Sequence, residues 1–151
     1  MFNHAVSADP IDIHAPAQAV WDILVDVEKY GEWNPFSTRV ETTLEVGSPV
    51  DLYVDMGLFK IKQPELIQAV EPPVLLAWGM TMGARFLLFT RREQRLEALS
   101  EASCRYYTTD AFSGLLAPLI VLLFGRIIRR GFNDVARALK ARAEATDQTD
   151  Q

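Results

Sequence analysis

Cysteine is almost missing from this sequence. Cys104 is the only one in 151 residues, which excludes an internal disulfide and a cysteine-based metal centre. Histidine is nearly as scarce, with His4 and His14 both close to the N-terminus. No Ser/His/Asp arrangement can be built from them at a plausible site, and no His/Cys/carboxylate cluster has metal-ligand spacing. A glycine-rich phosphate loop is also lacking. No metal and no cofactor is therefore expected. Basic charge is in deficit, with 15 Lys and Arg against 20 Asp and Glu and a net charge of -5. That excludes general nucleic-acid binding, which needs a broad basic surface. No apolar run is long enough to cross a bilayer. The nearest, residues 115–128, contains Pro118 and Arg126 and falls short of the ~18–20 residues a spanning helix needs. The first ten residues hold Asn3, His4 and Asp9 and no stretch resembling a signal peptide, so a cytoplasmic location is expected.

What is present is a globular composition. Hydrophobic residues make up 49% and charged residues 23%, too apolar for disorder and ample for one packed core at this length. A single domain over residues 1–145 is expected, followed by a polar tail, 146–151, that frays.

The hydrophobic pattern changes period along the chain. Ile11 and Ile13 alternate with Asp12 and His14, a half-buried strand, with His14 on its exposed side. Pro16 then opens a helix over about 17–26, where Val20, Ile23, Leu24 and Val27 recur at helical spacing. A second short helix over 28–32 ends at Gly31 and Trp33-Asn34-Pro35. From Phe36 to Phe112 the pattern is that of strands, clearest where Val50, Leu52, Val54 and Met56 alternate with Asp51, Tyr53 and Asp55. Turns are expected at Gly47-Ser48-Pro49, Gly57, Glu71-Pro72-Pro73 and Ser100-Glu101-Ala102, with a bend at Pro64. A long helix closes the chain over about 115–144, with Phe132, Val135 and Leu139 on one side. The order is a strand, two small helices, six strands and a long helix. This is an α+β architecture: an antiparallel meander whose concave face the long helix covers.

These residues resemble a known family. Ile11, Ile13, Ala15 and Pro16 followed by Val20-Trp21 and Leu24, then Asp26, Tyr30 and Trp33-Asn34-Pro35, are similar to the opening of the SRPBCC or START-like superfamily. So are Gly47, Val70 with Pro72-Pro73, Leu76 and Trp78 in the middle, and Phe112-Ser113-Gly114-Leu115-Leu116 with Phe132 and Leu139 at the end. The resemblance covers residues 7–144 and falls in the polyketide cyclase/dehydrase and lipid-transport group. It implies the helix-grip, START-like fold: a curved seven-stranded antiparallel sheet around the C-terminal helix, with a hydrophobic cavity between them. The function it implies is binding or transport of a hydrophobic or amphipathic small molecule that is lipid-, polyketide- or quinone-like. The alternatives are a polyketide cyclase or aromatase that folds its substrate in the cavity, and a peripheral membrane-docking module.

Strand parity nominates the cavity lining. With Arg105 outward, Tyr106, Thr108, Asp110 and Phe112 point inward. Val54 and Met56, Trp78 and Met80 join them from earlier strands, and Leu116, Ile120 and Phe124 from the helix. Arg92 and Gln94 share a parity that would make them polar cavity groups. Asp110 and Tyr106 are the candidates for catalysis, because a carboxyl in an apolar cavity is poised to exchange a proton. Relatives often carry a histidine two residues before that acid, where this chain has Thr108. Phe86, Leu87 and Phe89, in the apolar stretch 83–89, are expected to form a portal. Arg126, Arg129 and Arg130 share one helix sector that continues back into Leu115, Leu119 and Leu122, a face suited to anionic lipid.

Overall fold

Every strand of the sheet runs antiparallel to its neighbours, as short turns between consecutive strands require. The computed structural model describes residues 4–149. In chain order the elements are β1 (His4–Ser7), β2 (Ile11–Ile13), α1 (Ala17–Val25), a 3-10 turn (Val27–Glu32), β3 (Ser37–Thr42), β4 (Pro49–Asp55) and β5 (Lys60–Glu71). They continue with β6 (Leu75–Gly79), β7 (Thr81–Met82), β8 (Leu88–Ala98), β9 (Cys104–Ser113) and α2 (Ala117–Thr149). The sheet order is β1-β9-β8-β6-β5-β4-β3, with β2 also on β9 and β7 on β8. Counting β1 with β2 and β6 with β7, the sheet has seven continuous positions, and α2 lies across them.

The helix packs by one stripe. Phe132, Val135, Ala136, Leu139 and Ala143 are all buried and recur at the spacing that keeps one helix face on a partner. They join α1 and the inward residues of β2, β4, β6, β8 and β9 in the main core. A smaller cluster of Val6, Leu88, Phe112 and Ala117 closes the other end. Gly131 allows α2 to approach the sheet. A Cβ there would stand 2.2 Å from the Phe36 ring, which is inside any real contact distance.

Several boundaries differ from the sequence reading. Strand β1 was not expected, because His4–Ser7 has little apolar content of its own. It forms by pairing with β9, Val6 opposite Asp110 and His4 opposite Phe112. The stretch 83–89, expected to join two strands, is divided between a turn and a strand. Residues 83–87 form a turn, and Leu88 starts β8. The expected strand over 74–82 breaks at Met80 into β6 and β7. Pro64 does not bend β5; the register shift lies between Ile67 and Ala69. Pro64 is tolerated because β6 pairs with β5 only from Leu66 onward, so the missing N–H can face an unpaired edge. Helix α2 starts two residues late, after Gly114 at φ 102, and runs on to Thr149. The tail thus continues the helix through 149, and residues 150–151 lie outside the described residues.

Candidate functional site

A cavity of about 340 Å³ lies between the sheet and the first half of α2. Its walls are mostly apolar: Leu52, Val54 and Met56 from β4, Trp78 from β6, and Ile120, Phe124, Ile128 and Phe132 from α2. The mouth lies where the sheet is open. Strand β5 has no partner beyond Leu66 on the side away from β4, while β7 pairs only with β8. Across this gap the lining residues Phe59, Ile61 and Met82 are exposed to solvent. Phe59 meets Phe124 edge-on at 6.3 Å between ring centres, and the Gln63 side-chain amide reaches the Met80 sulfur.

Polar groups gather on one part of this wall. Arg92 on β8, Asp110 on β9 and Glu65 on β5 all line the cavity. Arg92 stands directly opposite Asp110 in the β8–β9 ladder. Arg92 is only 5% exposed. Its Nε donates to Thr108 Oγ1 at 3.3 Å, and its guanidinium lies 4.2 Å from the Phe132 ring centre and 5.8 Å from that of Trp78. Its Nη2 has no hydrogen-bond partner among the described residues. A buried charge with a free donor is costly to fold around, and such departures concentrate where a protein binds something.

The two carboxyls answer to the same enclosure. Burial pushes Glu65 up to about 8, helped by the charge of Asp110 and opposed by that of Arg92. Burial likewise raises Asp110 to about 7 against the pull of Arg92. Near neutral pH one carboxyl is mostly protonated and the other near its midpoint, so an acid and a base share one cationic neighbour. A third polar point is Ser37 on β3, whose hydroxyl lines the cavity, buried and unpartnered.

Of the residues nominated by strand and helix parity, Val54, Met56, Trp78, Met80, Asp110, Phe112, Ile120 and Phe124 line the cavity. Tyr106, Thr108 and Leu116 do not. Tyr106 is fully buried in the core and donates its hydroxyl proton to Gln94 Oε1 at 2.6 Å. Burial also raises its pKa. Thr108 is spent on Arg92, and Leu116 packs against the small end cluster before the helix begins. The expected portal is also displaced. Phe86 and Leu87 are absent from the lining because the 83–87 turn folds against the start of α2, and Phe89 because on β8 it has the opposite parity to the inward Leu88 and Thr90. Arg126, Arg129 and Arg130 are exposed on α2, as their sector requires.

Glu65 escaped the sequence reading, and the reason is local. Along β5 the odd positions Ile61, Gln63, Glu65 and Ile67 face inward and line the cavity or core. Leu66 faces solvent instead. The polar pattern is thus inverted at Glu65-Leu66, and only that inversion could have signalled an inward acid. Asn34 is positioned as its place before Pro35 suggests. Its Oδ1 accepts from the backbone N–H of Phe36 at 3.0 Å and of Ser37 at 2.8 Å, fixing the start of β3.

A curved antiparallel sheet gripping one long helix over an internal cavity defines a helix-grip protein. Residues 4–144 match the family model described as polyketide cyclase/dehydrase and lipid transport, and the chain belongs to that family. No curated protein sequence matches it. Among solved structures it is similar to the Zhui aromatase/cyclase of Streptomyces sp. R1128, at 20% identity and a TM-score of 0.74, covering 93% of this chain and 94% of that one. A START superfamily protein of Mycobacterium smegmatis is similar at 16% identity and a TM-score of 0.73, covering 95% and 99% of the two chains. Norcoclaurine synthase of Thalictrum flavum is similar at 14% identity and a TM-score of 0.71, covering 95% and 96%. At these identities the likeness is one of fold. Among the described residues no helix is long and apolar enough to cross a membrane, and no group of metal-ligating side chains assembles.

Proposed function

We propose that the cavity binds a hydrophobic small molecule carrying one anionic or carbonyl oxygen, and that this oxygen docks on Arg92. The observation that carries the reading is the free, buried Nη2 of Arg92 in a cavity whose walls are mostly apolar. A ligand oxygen there would gain a charge-assisted hydrogen bond in a low-dielectric site. The apolar remainder of the ligand would be held by Trp78, Phe124 and Phe132. Binding of 1-anilinonaphthalene-8-sulfonate tests this, since that probe joins an aromatic body to an anionic head. Its affinity should fall about tenfold to a hundredfold in Arg92→Met. It should also fall in Ile120→Trp, which fills the cavity from the helix side. Unchanged affinity in both folded variants would overturn the reading.

A second reading is enzymatic, and the paired carboxyls favour it. Glu65 and Asp110, raised to about 8 and about 7, suit proton transfer to and from an enolisable carbonyl held by Arg92. The acid would protonate the carbonyl oxygen while the base removes the adjacent carbon-bound proton, so charge balances within the site. Exchange of the α-protons of an aromatic β-diketone in heavy water, followed by NMR, reads this step. The catalysed exchange should disappear in both Glu65→Gln and Asp110→Asn. Exchange no faster than in buffer would overturn this second reading.

A further inference from the structure

Outside the cavity, an exposed apolar stripe lies on α2 and its neighbouring turn. Leu115 is 74% exposed, Leu122 81% and Phe86 71%. Leu119 and Leu123 complete the exposed stripe. The turn and the start of α2 are held together through their backbones. The Leu115 N–H donates to the Phe86 carbonyl at 2.9 Å, and the Leu116 N–H to the Leu87 carbonyl at 3.0 Å. Gly114 makes this approach possible, because a Cβ there would meet the Leu87 carbonyl oxygen at 2.6 Å.

The charges carried by the segments that build the stripe have one sign. At 100° per residue, Arg126 and Arg130 continue the sector of Leu119 and Leu122 by one to two turns. Both are exposed, and neither forms an ion pair among the described residues. Arg129 on the flank is engaged by Asp9 at 2.9 Å. On the other side Arg85 is exposed and stacks 4.1 Å from the Phe89 ring centre. No acidic residue occurs between Glu71 and Glu93, or between Asp110 and Asp134. In a chain with 20 acids against 15 bases, the two segments that build this surface are free of them.

We propose that this surface docks on an anionic phospholipid bilayer. The leucines and Phe86 enter the headgroup boundary, and Arg85, Arg126 and Arg130 meet the lipid phosphates. Charge complementarity selects this occupant over a second copy of the chain. A copy would present the same acid-free, arginine-flanked face and offer no carboxylate to pair with it. The same half of α2 supplies Ile120 and Phe124 to the cavity wall, so the docked helix stands beside the cavity mouth. Docking itself does not depend on what the cavity binds.

Sedimentation of the full-length protein with vesicles tests the proposal. Vesicles of equal parts phosphatidylcholine and phosphatidylglycerol should bind it, and pure phosphatidylcholine should bind it far less. Replacing both free arginines, Arg126→Gln with Arg130→Gln, should weaken binding on the order of 30-fold, and high salt should act in the same direction. Leu119→Ser with Leu122→Ser should abolish binding while leaving anilinonaphthalene affinity in the cavity unchanged. In a Leu122→Trp variant the indole emission should shift to the blue on anionic vesicles. Failure of the wild-type protein to sediment with anionic vesicles would overturn the proposal. So would binding that both double variants retain. A wild-type dimer in solution that Leu119→Ser/Leu122→Ser converts to monomer would assign the surface to self-association instead. None of these outcomes bears on Arg92, so this reading and the cavity reading fail separately.

Discussion

The guanidinium of Arg92 on β8 lies 4.2 Å from the ring centre of Phe132 on α2. Sheet and helix therefore meet through a cation on an aromatic face, beside the cavity. This contact replaces part of the solvation that burial removes from Arg92. In this arrangement Nη2 has no hydrogen-bond partner among the described residues.

Phe132→Leu keeps an apolar side chain in the buried helix stripe but removes the ring. The expected loss is about 2–3 kcal/mol, from the desolvated cation–π contact and imperfect repacking. Urea denaturation measures it. An unchanged midpoint would mean that Arg92 draws its stabilisation from elsewhere.

The pH dependence of stability follows from the carboxyls. Glu65 moves from 4.5 to about 8 and Asp110 from 3.8 to about 7. Between those limits the folded protein holds protons that the unfolded chain has released. The stability contributed by these two carboxyls is therefore full below the ordinary carboxylate range and is lost as pH rises through the window. Glu65→Gln should flatten that fall and raise the thermal midpoint on the alkaline side. A variant curve parallel to wild type across the window would show that Glu65 is ionised in the native state.

Gly131→Ala places a methyl 2.2 Å from the Phe36 ring. Either the ring turns into the cavity or α2 lifts from the sheet. The expected destabilisation is about 1–3 kcal/mol, typical of overpacking. Binding of an aromatic probe should weaken in parallel. Calorimetry with probe titration distinguishes a smaller cavity from a merely loosened helix, because only the former lowers affinity in the fully folded protein.

Much of the architecture was legible because it rests on local periodicity. The alternation of Val50, Leu52, Val54 and Met56 specifies a strand with one buried face, and all four are buried. Phe132, Val135 and Leu139 specify one helix stripe, and each is almost fully buried. Where the period is broken, the reading stopped. Residues 83–87 show no clear alternation, so nothing local separates strand from turn, and hydrogen bonds to residues after Gly114 decide it. β1 has no pattern of its own and exists through β9.

The candidate site divides along the same line. Parity alone put Asp110, Phe112, Trp78 and Val54 on one face, because side chains in a strand alternate whatever the strand pairs with. It could not tell which members of that face are packed and which look into space. Tyr106 and Asp110 share parity, yet one is bonded to Gln94 in the core and the other faces the cavity. The sequence by itself determined the run of strands between the small helices and the long one, the buried stripes and the acid-free surface of α2, since these follow from residue type and period. Only the tertiary structure brought Arg92, Glu65 and Asp110 to one wall from three strands. Their meeting depends on sheet curvature and on where β5 loses its neighbour, and no local pattern carries either.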